Sequence, residues 1–149
     1  MKNLILLLLA FTFFACKKST PTPAPVVKEP MVAEKIKKTW SANQVTEAGT
    51  VVYTKAGTTN TRPAYSKFKL DLSSASSATL TEFDGNSFTG TWEIVSEKTL
   101  ILKGLSPQPT GTGGTIEYAI TEATTAVLKL SRTTESPKTG GASVAYVLE

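Results

Sequence analysis

The side chains that most often perform chemistry in proteins are scarce in this sequence. Its 149 residues include one cysteine, Cys16, and no histidine. This composition excludes a zinc site of the usual Cys/His type, an internal disulfide, a Ser-His-Asp triad and a Cys-His pair. A general base acting near neutral pH would have to be a carboxylate or a lysine with a perturbed pKa. We therefore expect a protein that is not an enzyme and that carries neither a metal ion nor another cofactor.

Three glutamates on predicted strands are the remaining candidates for acid–base chemistry. A glycosidase-like pair needs two carboxyl groups separated by about 5 Å or by about 6.5–9.5 Å. Glu93 and Glu117 alternate with neighbouring aromatic residues, which places both on the outer face of a sheet. Glu82 shares the parity of Leu80, so either Leu80 or Phe83 must break the alternation. We expect all three to be solvated carboxylates.

A glycine-rich run at residues 111–114 reads Gly-Thr-Gly-Gly and resembles a phosphate-binding loop only superficially. The Gly-Lys-Ser/Thr sequence is missing, and no helix is predicted to follow and supply a dipole. We expect a flexible loop that could serve as a lid over a barrel.

The N-terminal segment resembles the signal peptide and lipobox of bacterial lipoproteins. Lys2 supplies a positive charge, Leu4–Phe14 is an apolar run too short to span a bilayer, and Phe-Phe-Ala precedes Cys16. The resemblance implies a signal peptide over residues 1–15, cleavage before Cys16 and lipid attachment to Cys16, which anchors the mature protein to a membrane. An ordinary secretory signal with an incidental cysteine is the alternative.

Residues 16–30 form the predicted lipidated cysteine and proline-rich tether. Four prolines among small and polar residues favour an extended spacer. The formal net charge of +4 is unevenly distributed, because residues 16–38 carry six lysines and two glutamates whereas residues 39–149 carry nine cations and ten acids. The nearly neutral domain has no basic stripe, so we expect no nucleic-acid partner.

Residues 31–149 form the predicted folded domain. We expect a short helix over residues 31–38, with Val32 and Ile36 packed on the domain that follows. Asp84-Gly85-Asn86 is a strong hairpin signal. Alternation of apolar and polar residues predicts strands over residues 40–46, 50–54, 65–72, 78–83, 87–95, 98–103, 116–120, 125–132 and 144–148.

The fold class that these strands predict is all-β, an antiparallel up-and-down β-barrel of about eight strands. Short strands with one apolar face must curl or stack to hide that face, and closure removes exposed edges. The interior of such a barrel is either filled or holds one small ligand. A two-sheet β-sandwich is the alternative.

The order of motifs resembles the lipocalin-like lipoproteins that are abundant in the Bacteroidota. Trp40 lies on the first strand, a Phe-Asp-Gly hairpin lies at residues 83–85, and Gly-Thr-Trp follows at residues 90–92, within a resemblance that covers residues 37–149. It implies a calycin-like barrel that binds a ligand or is structural, without catalysis. In this phylum acidic residues just after the lipidated cysteine accompany surface display. Lys17 and Lys18 stand there instead, so we expect an outer-membrane lipoprotein facing the periplasm.

The inward side chains are the candidate ligand-binding residues. We expect both tryptophans to be core residues and the tyrosine hydroxyls to reach water at strand ends. The predicted lining of a cavity comprises Trp40, Phe68, Leu70, Trp92, Tyr118, Leu128 and Tyr146. The leading hypothesis is a monomeric, membrane-anchored barrel that binds a small apolar or amphipathic molecule. The alternative is a cell-envelope interaction or structural module with no small ligand, and a packed centre would favour it over a cavity of about 300 Å³ or more.

Overall fold

A short helix closes one end of the domain. The computed structural model describes residues 31–149, so the predicted signal peptide, Cys16 and the tether lie outside the described residues. Helix α1 spans Val32–Lys35, and the side chain of Ile36, which follows it, is fully buried. The Trp40 indole donates a hydrogen bond to the Ile36 carbonyl over 2.8 Å, which turns the chain from the helix into the first strand. The helix is therefore shorter than predicted, and Val32 and Ile36 pack on the domain as expected.

Nine strands make up the sheet formed by residues 31–149. Two 3-10 helices, Pro63–Lys67 and Pro137–Thr139, lie in the loops between them. The strands are β1 Thr39–Glu47, β2 Thr50–Thr54, β3 Lys69–Asp71, β4 Ser77–Thr81, β5 Ser87–Val95, β6 Thr99–Ser106, β7 Ile116–Ala123, β8 Leu128–Arg132 and β9 Val144–Leu148.

All pairings between these strands are antiparallel, and the sheet closes on itself. Strands β3 to β9 pair in sequence order, and β9 pairs with β1 to complete the barrel. The first half of β1 pairs with β3 and its second half with β2, so β2 is an extra strand beside an eight-stranded barrel. The prediction of an all-β, up-and-down barrel of about eight strands is confirmed, and the β-sandwich alternative is wrong.

The free edge of β2 is capped by the loop that follows it. The Asn60 side chain accepts a hydrogen bond from the Thr54 amide over 2.8 Å and donates one to the Thr54 carbonyl over 2.9 Å. The Arg62 amide donates to the Val52 carbonyl over 3.0 Å. Because these bonds occupy the outward backbone groups, this edge is protected against pairing with another strand.

Tight turns set the register of the hairpins. Ala48 and Gly49, the two residues between β1 and β2, have φ of 46° and 81°. Ser96 and Glu97, in the three-residue link between β5 and β6, have φ of 52° and 57°. Positive φ at two successive turn residues matches the twist of the flanking strands. The predicted hairpin at residues 84–86 is confirmed. Gly90 lies at a bulge between β5 and β6, where an added Cβ would clash with the Lys103 carbonyl oxygen.

Two predicted strands begin later than the sequence pattern suggested. The strand predicted from residue 65 starts at Lys69, because Pro63 opens a 3-10 helix. The strand predicted from residue 125 starts at Leu128, because the Thr124 hydroxyl accepts a hydrogen bond from the Val127 amide and fixes a turn. In the described part of the chain, no helix has the length and apolar character needed to cross a bilayer.

Candidate functional site: the barrel interior and its mouth

The predicted lining residues all lie in one buried cluster inside the barrel. The two tryptophans are partnered by backbone groups: Trp40 donates to the Ile36 carbonyl, and Trp92 donates to the Ser74 carbonyl over 3.0 Å. An indole N–H with a hydrogen-bond partner and a low exposed fraction are typical of core tryptophans. All seven predicted residues are between zero and 8% exposed: Trp40, Phe68, Leu70, Trp92, Tyr118, Leu128 and Tyr146.

Aromatic rings fill the part of the interior that lies farthest from α1. Phe68 and Tyr146 are stacked, with ring centroids 4.6 Å apart. Tyr65 and Tyr118 meet Tyr146 edge-on at 6.2 Å and 6.1 Å, and Tyr65 lies 4.9 Å from Phe83. These spacings are those of rings in direct contact. The expectation that the tyrosine hydroxyls reach water is wrong for Tyr65 and Tyr118, whose side chains are fully buried.

An ion pair crosses the barrel at the end opposite α1, which we call the mouth. Glu82 directly follows β4, and Arg132 ends β8, four strands away around the eight-stranded barrel and thus on the opposite wall. Arg132 Nη1 donates to Glu82 Oε1 over 3.0 Å, and each side chain is 5% exposed. The expectation that Glu82 is a solvated carboxylate is wrong. Its inward parity with Leu80 is maintained, and Phe83 breaks the alternation.

The loop between β8 and β9, residues 133–143, extends this ionic network over the mouth. Lys138 Nζ lies 2.5 Å from Glu82 Oε2 and 2.6 Å from Asp84 Oδ2. Arg132 Nε also donates to the Thr134 carbonyl over 2.9 Å. Partial burial lowers the pKa of Lys138, but its hydrogen bonds to Asp84 and Glu82 outweigh burial, so its pKa is raised. Lys138 thus attaches the loop to Glu82 and Asp84, which follow β4 on the opposite wall.

A second buried carboxylate holds the first 3-10 helix against β1. Tyr65 donates its hydroxyl to Glu47 Oε1 over 2.7 Å, and Arg62 Nε lies 3.3 Å from Glu47 Oε2. Burial, followed by the hydrogen bond to this carboxylate, raises the pKa of Tyr65 far above its usual value. Glu47 is only 8% exposed, and the Tyr65 hydroxyl and the Arg62 guanidinium replace the hydration that its carboxylate loses on burial.

Comparisons with known proteins identify the fold of this arrangement. No family model and no curated protein match the chain. The chain is similar to the crystal structure of a lipocalin-like protein from Bacteroides uniformis, with a TM-score of 0.51, 12% identity, and coverage of 77% of this chain and 97% of that chain. An uncharacterised protein from Bacteroides eggerthii gives a TM-score of 0.46 at 12% identity, covering 74% of this chain and 95% of that chain.

The domain has a lipocalin-like fold. At this low identity the similarity concerns the path of the backbone, and the function has to be argued from the side chains.

The lipocalin-like barrel contains one buried hydroxyl without a hydrogen-bond partner. Among residues 31–149, no donor or acceptor pairs with Tyr118 Oη, although its ring is fully buried. Burial raises the pKa of Tyr118 well above its usual range, so the group stays neutral and remains both a donor and an acceptor. An unsatisfied buried hydroxyl costs about 1–3 kcal/mol, so it marks a place where a polar atom would be stabilised.

A groove of about 190 Å³ lies at the rim of the barrel, outside the aromatic interior. It runs between the β1–β2 turn and the loop of residues 133–143. Thr46, Ser131, Ser143 and Ala145 line it, together with Gly49, Arg132 and Val144. The groove is smaller than the volume usual for a small-molecule site, and apart from Arg132 its lining side chains are short. None of its lining residues belongs to the predicted set.

The other chemical candidates from the sequence lie on the surface. Glu93 pairs with Lys103 on the outer face, and both side chains are nearly half exposed. Glu117 is exposed as expected. The run at residues 111–114 precedes a strand, and Gly111 lies against Pro137, so two loops meet over the mouth. In residues 31–149, no group of three or more Cys, Asp or Glu residues is arranged to hold a metal ion.

Proposed function

We propose that this chain is a lipid-anchored protein of the bacterial cell envelope whose lipocalin-like barrel serves as an interaction or structural module with a filled interior. The proposal involves no catalysis and no cofactor. The observation that supports it is the aromatic packing of the interior beneath the Arg132–Glu82 pair. A ligand would have to displace rings that already contact one another and break a buried ion pair, which is expensive.

The proposed anchor is lipid on Cys16, attached after removal of residues 1–15. The lipobox-like sequence before this only cysteine of the chain supports the assignment. Two or more acyl chains hold a protein stably on a bilayer, because each buried methylene contributes about 0.8 kcal/mol. The basic residues next to Cys16 support an outer-membrane position facing the periplasm.

Metabolic labelling tests the anchor. Cells that express the chain are grown with a palmitate analogue, and the labelled protein is detected in the membrane fraction. Cys16→Ala is expected to abolish both the label and the membrane association. Incorporation that survives this substitution would contradict the anchor.

Titration with fluorescent fatty-acid-like probes tests the filled interior. The purified protein is expected to show no saturable change in probe emission or in the emission of Trp40 and Trp92. Saturable binding with one probe per chain, lost in Tyr146→Trp, in which a larger ring occupies the centre, would contradict a filled interior. Tyr53→Trp, near the edge of the aromatic cluster, is the matched control.

Binding of a small amphipathic ligand is the second candidate, and the unpartnered Tyr118 hydroxyl favours it. Under this alternative a polar group of the ligand pairs with Tyr118, and Tyr118→Phe lowers its affinity by about fivefold or more, since one hydrogen bond is worth about 1 kcal/mol or more. Under the leading proposal Tyr118→Phe leaves stability unchanged or raises it, because it removes an unsatisfied group.

A further inference from the structure

Two exposed apolar side chains lie at the helix end of the barrel, where the chain leaves the described domain toward Cys16. Within residues 31–149, the large hydrophobic side chains with substantial exposure are Met31 at 51%, Val51 at 50% and Val95 at 42%. The Val32 amide donates to Glu97 Oε2 over 2.7 Å, which brings the start of α1 next to the turn that follows Val95. Met31 and Val95 therefore share one end of the barrel.

Val51 lies at the opposite end. Strand β1 runs from the helix end to the mouth, and Val51 follows the turn that ends it. Strand β5 ends at the helix end with Val95, just before the turn at residues 96–98. Both valines thus lie on outward-facing positions beside turns, at opposite ends of the molecule.

The charge of the helix end favours an anionic surface. Lys35, Lys37 and Lys98 are close in sequence to the two apolar residues and are at least partly exposed, as are Glu34 and Glu97. Glu97 is already engaged by the first amide of α1. Lysines beside exposed apolar groups are the pattern of surfaces that rest on anionic bilayers, where each cation near the headgroups adds attraction.

Covalent geometry brings this surface close to a membrane if Cys16 is lipidated. Residues 17–30 separate Cys16 from Met31 and can reach at most about 50 Å. A tether of this size gives an effective concentration in the millimolar range, so an intrinsic affinity of about 1 mM suffices to populate a docked state. Two apolar side chains and three lysines need to provide no more than that.

We infer that the helix end of the barrel, formed by Met31, Val95 and the lysines close to them in sequence, docks on the anionic bilayer leaflet that holds Cys16. The inference rests on the proposed lipid anchor. Docking turns the mouth, with Arg132 and Lys138, away from the membrane. The rim groove and the loops over the mouth are then the surfaces that face the surrounding compartment.

Site-specific labelling of the full lipidated chain tests this orientation. Val95→Cys and Val51→Cys each introduce a thiol that is the only reactive one in the protein, because lipid blocks the thiol of Cys16. Each protein is labelled with an environment-sensitive fluorophore and reconstituted in vesicles of phosphatidylethanolamine and phosphatidylglycerol, with and without brominated acyl chains. The label at 95 is expected to shift to the blue and to lose most of its emission to brominated lipid, whereas the label at 51 is expected to change little. High salt should weaken the response at 95 by screening.

The alternative outcomes are distinguishable. Equal quenching at both positions, or none at either, overturns the docking while leaving the anchor intact. A label at 95 that shifts without quenching by brominated lipid indicates a protein partner or a second copy and also overturns it. A Cys16 thiol that reacts with the label shows that the anchor itself is absent. Hydrogen exchange of the unsubstituted protein gives an independent readout, with slower exchange expected at residues 95–98 upon reconstitution.

Discussion

At the helix end of the barrel Ile36 and Trp40 close the interior with apolar surface and one indole hydrogen bond, whereas at the mouth Glu82 and Arg132 close it with a buried ion pair. Apolar closure is nondirectional and is stabilised in proportion to the area removed from water. Ionic closure stabilises little on balance, because two charges lose their hydration, but it is intolerant of losing one partner. The two ends should therefore respond differently to substitution, to pH and to ligands.

The largest effect is expected at the helix end. Trp40→Ala removes the largest fully buried side chain, and the Ile36 carbonyl loses its indole donor and keeps only the Lys38 amide. We expect a loss of about 4–5 kcal/mol in the free energy of unfolding, measured by urea denaturation. Trp40→Phe, which keeps most of the ring volume, should cost clearly less. Equal losses for the two variants would show that packing does not dominate this end.

Breaking the mouth ion pair from one side should cost somewhat less. Arg132→Met leaves Glu82 buried with Lys138 as its remaining cation, and we expect a loss of about 3 kcal/mol. The double variant with Glu82→Leu removes both charges and is expected to recover most of that loss. A double variant as unstable as Arg132→Met alone would mean that shape, and not the uncompensated charge, governs the mouth.

The sequence predicted the apolar end better than the ionic one for a physical reason. Alternation along each strand is local, and it identified the inward side chains of the strands from a single stretch of sequence. The partner of Arg132 lies 50 residues away on the opposite wall, and only barrel closure brings the two together. The alternation does indicate that Arg132 points inward, since it continues the series of Leu128 and Leu130. The alternation alone does not identify the residue with which Arg132 pairs.

The 3-10 helix at residues 63–67 was missed for a related reason. Tyr65 shares the parity of the exposed Lys67 and Lys69, so a continuous strand would have turned this buried ring outward, and Pro63 signals the different backbone conformation that buries it. What fixes Tyr65 is its hydrogen bond to Glu47, a residue that the sequence pattern placed in a turn. Long-range polar contacts of this type carry no periodic signal.

Alkaline pH should weaken the aromatic interior beneath the mouth. Burial raises the pKa of Tyr118 and Tyr146 above the usual value of 10.0, so the folded state keeps protons that the unfolded chain releases. Stability should therefore be unaffected by these groups below about pH 10 and fall above it. Tyr118→Phe should reduce that fall by about 1.4 kcal/mol per pH unit. The free energy of unfolding is measured by urea denaturation at several pH values above 10. If it falls with pH as steeply in this variant as in the natural chain, the buried, neutral hydroxyl is contradicted.

A smaller effect is expected for the cation on the loop over the mouth. Lys138 is 20% exposed and pairs with Glu82 and Asp84, so Lys138→Met should cost about 1 kcal/mol. Lys103→Met, which breaks an exposed pair with Glu93, is the matched control and should change stability by less than about 0.5 kcal/mol. Amide exchange in residues 133–143 should accelerate in the first variant only.

The filled interior is tested most directly by comparing benzene binding to the natural chain and to Tyr146→Ala. Removing the stacked ring beside Phe68 opens an apolar void, and voids of roughly 150 Å³ in protein cores bind benzene. We predict saturable binding to Tyr146→Ala, detected by chemical-shift changes in the interior residues, and none to the natural chain. Saturable binding to the natural chain at these same residues would contradict the account and favour a ligand-binding barrel.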